Sequence, residues 1–221
     1  MPDAPERPDE SDAVAHDPWQ GDARLESHFG AAWPALSGFH EMLASEGVLR
    51  GLVGPREVGR LWERHLLNSA AVVPHLPASG SVVDMGSGAG LPGVVVAAMR
   101  PDQHVVLLEP MERRVDWLQL VVSELGLANA EVVRGRAPEI GLTTDVVTAR
   151  AVAALDKLLR WTVPLLRPGG TLVALKGSRA QEEVDASRKV AAKLGIAEME
   201  VREARALDGA EATTIVRAVR R

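Results

Sequence analysis

The chain has neither cysteine nor tyrosine among its 221 residues. Without cysteine it can form no disulfide, no thiolate metal site and no cysteine nucleophile, and without tyrosine no phenol can serve as an acid or base. A chain without cysteine is typical of a reducing compartment, so we expect a cytoplasmic protein. No apolar run approaches about 18 residues, and residues 1–6 lack the basic start of a secretory signal, so we expect neither a membrane span nor a leader.

The acidic surplus of the chain is concentrated near residue 1. The formal net charge of −5 argues against a nucleic-acid partner, because proteins that bind phosphates usually carry a basic surplus. Residues 1–20, however, hold six acidic residues and one arginine, which leaves the remaining residues electrically neutral. This segment is rich in proline and poor in large apolar residues, so we expect a disordered acidic tail on a neutral body.

The rest of the chain shows two kinds of apolar pattern. Residues 21–75 carry apolar side chains at spacings of three and four, which predicts an N-terminal helical segment. In residues 76–221, β-branched runs alternate with helix-like stretches, which predicts an α/β core whose sheet is mostly parallel and covered on both faces. The last two runs are too close in sequence for a parallel crossover, so we expect an antiparallel C-terminal strand, with residues 21–221 forming one compact domain. The predicted strands are 81–85, 104–109, 130–134, 145–149, 171–175, 197–203 and 213–219, and the predicted helices are 22–50, 56–73, 92–100, 111–125, 152–166 and 180–194.

The strongest local signal is a glycine-rich turn after the first predicted strand, Asp84-Met85-Gly86-Ser87-Gly88-Ala89-Gly90-Leu91-Pro92-Gly93. Glycines at such a turn let the backbone bend sharply and approach a ligand closely, so the turn predicts a cofactor site. Two cofactors fit the spacing. Gly88-x-Gly90-x-x-Gly93 together with Glu109 matches the dinucleotide fingerprint. The shifted pattern Asp84-x-Gly86-x-Gly88-x-Gly90 resembles the first motif of Rossmann-like methyltransferases that use S-adenosylmethionine.

Three features favour the methyltransferase. A short-chain dehydrogenase needs a catalytic tyrosine, which this chain lacks. A two-domain dehydrogenase needs much more chain after the cofactor half. The predicted antiparallel strand pair also fits a methyltransferase sheet better than a second dinucleotide half. In this interpretation Glu109 ends the second strand and accepts hydrogen bonds from both hydroxyls of the cofactor ribose.

Six further motifs follow one another along the chain: Arg64-His65-Leu66-Leu67-Asn68-Ser69, Arg113-Arg114-Val115, Arg136-Ala137-Pro138-Glu139, Ala149-Arg150-Ala151, Ala174-Leu175-Lys176-Gly177 and Leu207-Asp208-Gly209. With them, residues 25–221 resemble the bacterial small-subunit ribosomal RNA guanine-N7 methyltransferases, also known as the glucose-inhibited division protein B family. The resemblance implies a Rossmann-like class I methyltransferase fold and S-adenosylmethionine as the cofactor. It also implies that 16S ribosomal RNA or the small ribosomal subunit is the partner.

The resemblance assigns roles to particular residues. Ala137 and Pro138 frame the adenine of the cofactor. Arg64, His65 and Lys176 are candidates for positioning the RNA, and we expect no metal. From the residues alone, His65 is more typical of a packed, hydrogen-bonded histidine than of a catalyst, and we expect Trp62, Trp117 and Trp161 in the core. The predicted cofactor-binding residues are Asp84, Gly86, Gly88, Leu91, Glu109, Ala137, Pro138 and Arg150.

Two positions depart from the family pattern. The chain has Asn68 where the family usually has aspartate, so a negative charge is either not essential there or absent here. It has Pro138 where the family usually has glutamate. Because proline donates no backbone hydrogen bond, only its carbonyl and ring can serve the adenine, and Glu139 is a candidate for the missing polar role.

The residues present also narrow the choice of methyl acceptor. Methylation of pyrimidine C5 needs a cysteine nucleophile, and exocyclic amino methyltransferases carry an Asn/Asp-Pro-Pro-aromatic motif where this chain has Thr148-Ala149-Arg150-Ala151. Guanine N7 has a free lone pair and can attack a sulfonium methyl group without a general base. Together with the resemblance, which implies 16S ribosomal RNA as the substrate, this favours methylation of guanine N7 in that RNA. We also expect a monomer. The alternatives are another RNA, a protein or a small molecule as acceptor, a nicotinamide oxidoreductase, and an RNA-binding protein without catalysis.

Overall fold

A computed structural model describes residues 17–137 and 139–221 of the chain. Its strands are β1 (Val82–Met85), β2 (Val105–Glu109), β3 (Ala130–Arg134), β4 (Thr144–Arg150), β5 (Leu166–Lys176), β6 (Ile196–Ala204) and β7 (Thr213–Arg220). These strands form one sheet in the order β3-β2-β1-β4-β5-β7-β6. The first five pair in parallel, and β7 runs antiparallel to both β5 and β6. This arrangement confirms the predicted mostly parallel sheet with an antiparallel C-terminal strand.

The central strands are apolar because both of their faces are covered. Every residue of β1 and β2 is buried, and strands of this kind appear in a sequence as continuous apolar runs. Their predicted bounds are therefore correct to within one residue. Strand β5 begins at Leu166, five residues before its predicted start of 171. The prediction was late because the exposed stretch 167–169 interrupts the apolar pattern.

Two hydrophobic clusters lie on the two faces of the sheet. Side chains alternate between faces along a strand, so Val82 belongs to one cluster and Val83 to the other. The α-helices are α1 (Arg24–Phe29), α2 (Trp33–Glu46), α3 (Asn68–Ala70), α4 (Gly93–Met99), α5 (Glu112–Glu124), α6 (Leu155–Thr162) and α7 (Ala180–Lys193). Helices α2, α4 and α5 cover the first face of the sheet, and α6 and α7 cover the second.

The N-terminal helical segment packs directly on the first face of the sheet. Phe39 of α2 and Trp62 lie in the same cluster as Val94 of α4 and Trp117 of α5. The predicted helix over 56–73 is not regular: a π-helical turn, Trp62–Leu67, leads into α3 and is flanked by short 3-10 turns. None of the helices in the described part of the chain is long and apolar enough to cross a membrane.

The boundary of the predicted tail at residue 20 is too late. Asp17 and Trp19 are 5% and 3% exposed, and Asp17 accepts hydrogen bonds from the backbone N–H of Trp62 at 2.7 Å and of Trp19 at 3.0 Å. Residues 17–20 therefore belong to the folded body. A single buried aspartate inside an acidic stretch gave no signal that distinguished it from its neighbours. The rest of the predicted tail, residues 1–16, lies outside the described residues.

Candidate functional site

The carboxyl ends of the parallel strands form one edge of the sheet, and the loops that follow β1, β2, β3 and β4 line two adjoining cavities there. Their volumes are 480 Å³ and 410 Å³. Both cavities are lined by Gly86, Pro110, Met111 and Val152. Ligands of open α/β sheets bind in the crevice at this edge. Six predicted cofactor-binding residues line the cavities: Gly86, Gly88, Leu91, Glu109, Ala137 and Arg150.

The glycine-rich turn passes beneath these cavities in a conformation that side chains disfavour. Gly86 has φ of 72°, in the left-handed region where glycine carries no steric cost. A Cβ atom at Gly86 would lie 3.1 Å from the Val152 side chain, which lines both cavities. At Gly93 an added Cβ would lie 2.5 Å from Asp84 Oδ2, so the helix start can approach β1 this closely only as glycine.

Asp84 lies beneath the glycine-rich turn and lines neither cavity. Its side chain is fully buried. Oδ2 accepts a hydrogen bond of 3.0 Å from the Gly93 N–H, while Oδ1 accepts none from the described residues. Burial raises the pKa of this carboxyl to about 7. In the structure Asp84 thus holds the turn in place, and its predicted contact with the cofactor stays a prediction.

Glu109, at the end of β2, presents a carboxylate fixed by the backbone. Oε2 accepts a hydrogen bond from the Gly88 N–H at 2.9 Å, and Oε1 accepts one from the Met111 N–H at 3.0 Å. The Arg114 guanidinium lies 4.0 Å from Oε2. Each carboxylate oxygen has a second lone pair, so the group can still accept hydrogen bonds from a pair of ligand hydroxyls at the edge of the cavity.

The larger cavity is mostly apolar. Leu108, Met111, Ala137 and Trp161 line it, with the polar Arg136 and Glu139 also among its lining residues. Pro138 lies outside the described residues, so its predicted role stays a prediction.

Trp161 is 37% exposed, which contradicts the expectation that it is a core residue. Helix α6 buries Leu155, Leu158, Leu159 and Thr162, and this register leaves position 161 beside the buried face rather than on it. Trp62 and Trp117 are buried as expected. The helical register of α6, rather than residue type, was the signal that could have identified Trp161.

Arg150, at the end of β4, connects the smaller cavity to the N-terminal helical segment. Nη1 donates to the Arg64 carbonyl at 3.2 Å and to Asn68 Oδ1 at 3.1 Å. Asn68 in turn donates from Nδ2 to Thr213 Oγ1 at 2.9 Å. An amide can accept one hydrogen bond and donate the other, whereas a carboxylate could only accept. This contact explains how asparagine serves where the family usually has aspartate.

His65 is held by the same guanidinium. Arg150 Nη2 lies 2.7 Å from His65 Nδ1, and because arginine only donates, Nδ1 accepts. Nε2 lies 3.1 Å from Glu57 Oε2. Burial and the charge of Arg150 lower the pKa of His65 to about 4, and burial lowers the pKa of Arg150 to about 10. Near pH 7 the pair is therefore a neutral histidine beside a charged arginine, in line with the expected packed histidine.

Lys176, at the end of β5, is also engaged. Its side chain is 9% exposed, and Nζ donates to the Ala153 carbonyl at 2.9 Å and lies 2.7 Å from Glu183 Oε2. It lines a third cavity, of 590 Å³, at the same edge of the sheet. This third cavity shares Ala151 and Val152 with the 410 Å³ cavity, so the structure brings Lys176 close to it. Arg64 reaches Arg150 only through its carbonyl, and its side chain is exposed.

Four exposed arginines lie at or beside this edge of the sheet. Arg113, Arg136 and Arg179 follow β2, β3 and β5, and like Arg64 they form no ion pair with a described residue. Other exposed arginines are of both kinds: Arg188 is paired with Asp185 at 2.9 Å, whereas Arg56, Arg160 and Arg221 form no ion pair with a described residue. We call Arg64, Arg113, Arg136 and Arg179 the arginine rim. A body without net charge can therefore present a local positive surface. In the described part of the chain no cluster of three His, Asp or Glu side chains could hold a metal ion.

Known proteins match most of this chain. The family model for rRNA small subunit methyltransferase G, GidB, matches residues 33–209. A relative from Mycolicibacterium gilvum is 51% identical over 179 residues, which cover 78% of this chain and 78% of that protein. One from Thermobifida fusca is 55% identical over 162 residues, covering 72% of this chain and 68% of that protein. Both are named Ribosomal RNA small subunit methyltransferase G.

Solved structures share the fold at low sequence identity. A methyltransferase from Pyrococcus furiosus superimposes with a TM-score of 0.57 at 15% identity, over 85% of this chain and 96% of that one. A SAM-dependent methyltransferase from Aquifex aeolicus superimposes with a TM-score of 0.56 at 19% identity, over 79% of this chain and 98% of that one. These likenesses confirm the predicted Rossmann-like class I methyltransferase fold. The extent of the family match and the identity to these relatives show that the chain belongs to the GidB family, rRNA small subunit methyltransferase G.

Proposed function

We propose that this protein methylates N7 of a guanine in 16S ribosomal RNA, with S-adenosylmethionine as the methyl donor. The observation that carries the proposal is the Glu109 carboxylate, which two backbone N–H groups fix beside the glycine-rich turn. There it lines the 410 Å³ cavity that adjoins the apolar 480 Å³ cavity. The relatives from M. gilvum and T. fusca, named for methylation of small-subunit ribosomal RNA, support the same substrate.

The described residues fit this cofactor in three places. Glu109 has free lone pairs for the two ribose hydroxyls. The 480 Å³ cavity, with Met111, Ala137 and Trp161, suits the flat apolar faces of an adenine. At the smaller cavity, Arg150 keeps its Nε and one Nη2 proton free of hydrogen bonds to described residues, so it can bind the amino-acid carboxylate.

Methyl transfer to guanine N7 requires alignment of the methyl donor with the acceptor rather than a general base. S-adenosylmethionine supplies a methyl group on a sulfonium sulfur, and guanine N7 has no proton to lose before it attacks. The site agrees, because the lone pair of His65 Nδ1 is occupied by Arg150 and the Lys176 ammonium is held by Ala153 and Glu183. Holding nucleophile and methyl group in line supplies effective molarities of about 10⁵ M or more.

The arginine rim supports an RNA partner. Unpaired guanidinium groups bind phosphates and release counterions, so RNA affinity should fall as salt rises, with a slope of about −0.7 per neutralised phosphate of a single strand. Glu139 and Glu182 are exposed at the same edge. We therefore expect modest, salt-sensitive affinity rather than tight binding to any RNA.

Transfer of a tritiated methyl group tests the proposal. We expect label from S-adenosylmethionine in unmodified small subunits or in naked 16S ribosomal RNA, and 7-methylguanosine after nuclease digestion. Label in neither substrate, with cofactor binding intact, would overturn the ribosomal assignment. Label in a different nucleoside would overturn N7. Binding of a nicotinamide cofactor in place of S-adenosylmethionine would favour the oxidoreductase. The expected monomer and its cytoplasmic location stay predictions.

A further inference from the structure

The third cavity, of 590 Å³, lies beside the cofactor cavities at the carboxyl edge of the sheet. It is lined by the loop Ala151–Ala154 and by Lys176, Arg179 and Glu183. Ala151 and Val152 line both this cavity and the 410 Å³ cofactor cavity. A group bound here therefore lies next to a cofactor bound in that cavity, which is the place that a methyl acceptor must occupy.

Glu183, in the first turn of α7, presents a fixed carboxylate to this cavity. Oε2 lies 2.7 Å from Lys176 Nζ and accepts a hydrogen bond of 2.8 Å from the Leu155 N–H at the start of α6. Oε1 accepts no hydrogen bond from a described residue. One oxygen is thus anchored by a cation and a backbone donor, while the other remains available to a ligand with N–H donors.

Resting on the proposed function, we propose that Glu183 selects guanine as the methyl acceptor by accepting hydrogen bonds from the donor edge of the base. Guanine carries the N1–H and N2–H₂ donors on the edge opposite N7, so a carboxylate that holds this edge leaves N7 free for the methyl group. Adenine presents an acceptor at N1, which a carboxylate repels. Glu183 is a specificity-determining residue in this assignment, and Lys176 orients it.

Charge-assisted hydrogen bonds of this kind are among the stronger ones in proteins. Their loss leaves the donors of the base without partners in the cavity, which weakens binding by about 10- to 100-fold. Glu183→Gln is the sharpest change, because the amide keeps the size and one acceptor but removes the charge. Asp185→Asn is the matched control on the same helix: it also removes an ion pair, with Arg188, but Asp185 does not line the cavity.

Two measurements test the assignment with the full chain. The first is the kcat/KM for methyl transfer to unmodified small subunits, with cofactor affinity and thermal stability measured beside it. We expect Glu183→Gln to lower kcat/KM by about 10- to 100-fold at unchanged cofactor affinity, and Asp185→Asn to match the wild type. The second is inhibition of that reaction by GMP, IMP and AMP. We expect the wild type to prefer GMP over IMP, which lacks only the N2 amine, and IMP over AMP.

Each outcome decides the question. Undiminished transfer by Glu183→Gln overturns the inference. Reduced transfer with the GMP-over-IMP preference intact shows that Glu183 only supports Lys176, which overturns it as well. If the variant fails to bind cofactor, the wild-type order of inhibition decides, and equal inhibition by the three nucleotides refutes guanine recognition. A wild-type protein that transfers no methyl group to small subunits would instead refute the proposed function.

Discussion

Asp84 makes the stability of the protein depend on pH in a direction that can be calculated. Burial raises its pKa from 3.8 to about 7. A carboxyl whose pKa is higher in the folded state stabilises the fold fully only below its unfolded pKa, and that stability is lost as the pH rises through the folded pKa. A difference of about three pKa units corresponds to roughly 4 kcal/mol, lost progressively between about pH 4 and about pH 8.

Replacement of Asp84 by asparagine isolates this effect. The amide keeps an acceptor for the Gly93 N–H and cannot ionise, so it resembles the protonated carboxyl at every pH. The free energy of unfolding of Asp84→Asn relative to wild type should therefore rise with pH. From about pH 5 to about pH 8 the expected rise is roughly 2 to 3 kcal/mol. All other titrating groups are common to both proteins and cancel in the difference.

Urea unfolding followed by tryptophan fluorescence measures the difference at each pH. Asp185→Asn is the control, because the pKa of this exposed carboxyl is lowered, by its hydrogen bonds with Gln181 and Arg188. Its unfolding free energy should follow that of the wild type in parallel above about pH 5. A curve for Asp84→Asn that is also parallel to the wild type would show that Asp84 does not titrate in this range, and would refute the reasoning.

Three further predictions concern the cofactor site and the start of the folded body. Gly86→Asp should abolish S-adenosylmethionine binding, because a charged side chain would be added beside Val152 at a left-handed φ; unchanged affinity in calorimetry would contradict the placement of the site. Trp161→Ala should weaken cofactor binding by about 10-fold through loss of a stacking face, whereas Trp161→Phe should keep most of the wild-type affinity. Equal cofactor affinity of Trp161→Ala and the wild type would remove Trp161 from the site. Deletion of residues 1–20 should lower the melting temperature more than deletion of residues 1–16, because only the longer deletion removes Asp17 and Trp19; identical melting curves would count against this.

Much of the site was predictable because its residues lie at strand ends. The apolar runs located β1 and β2, and the glycines and Glu109 follow directly from those runs. In a parallel sheet the carboxyl ends share one edge, so sequence order alone brings Gly86 and Glu109 together. The antiparallel orientation of β7 was predictable from the length of the connection that precedes it, since the segment between β6 and β7 is too short for a parallel crossover.

Other features depended on contacts between distant parts of the chain. The contact of Arg150 with Asn68 links residues 82 positions apart, and that of Asp17 with Trp62 links residues 45 positions apart. No local pattern specifies such a pair, because hydrogen-bonding partners are selected by packing and not by sequence spacing. The exposure of Trp161 is a different case, because the helical register of α6 is a local pattern that could have shown it.

By itself, the sequence determined the mostly parallel sheet with its antiparallel C-terminal strand, the glycine-rich turn, the position of Glu109 at a strand end, and the family. Periodicity and strand-end chemistry are local properties, so they can be read residue by residue. Only the tertiary structure decided which charges are neutralised. It pairs some arginines with carboxylates, leaves the arginine rim without ion pairs to described residues, and fixes one oxygen of Glu183 while leaving the other free. Charge pairing depends on distances between side chains that are remote in sequence, which a list of residues does not contain.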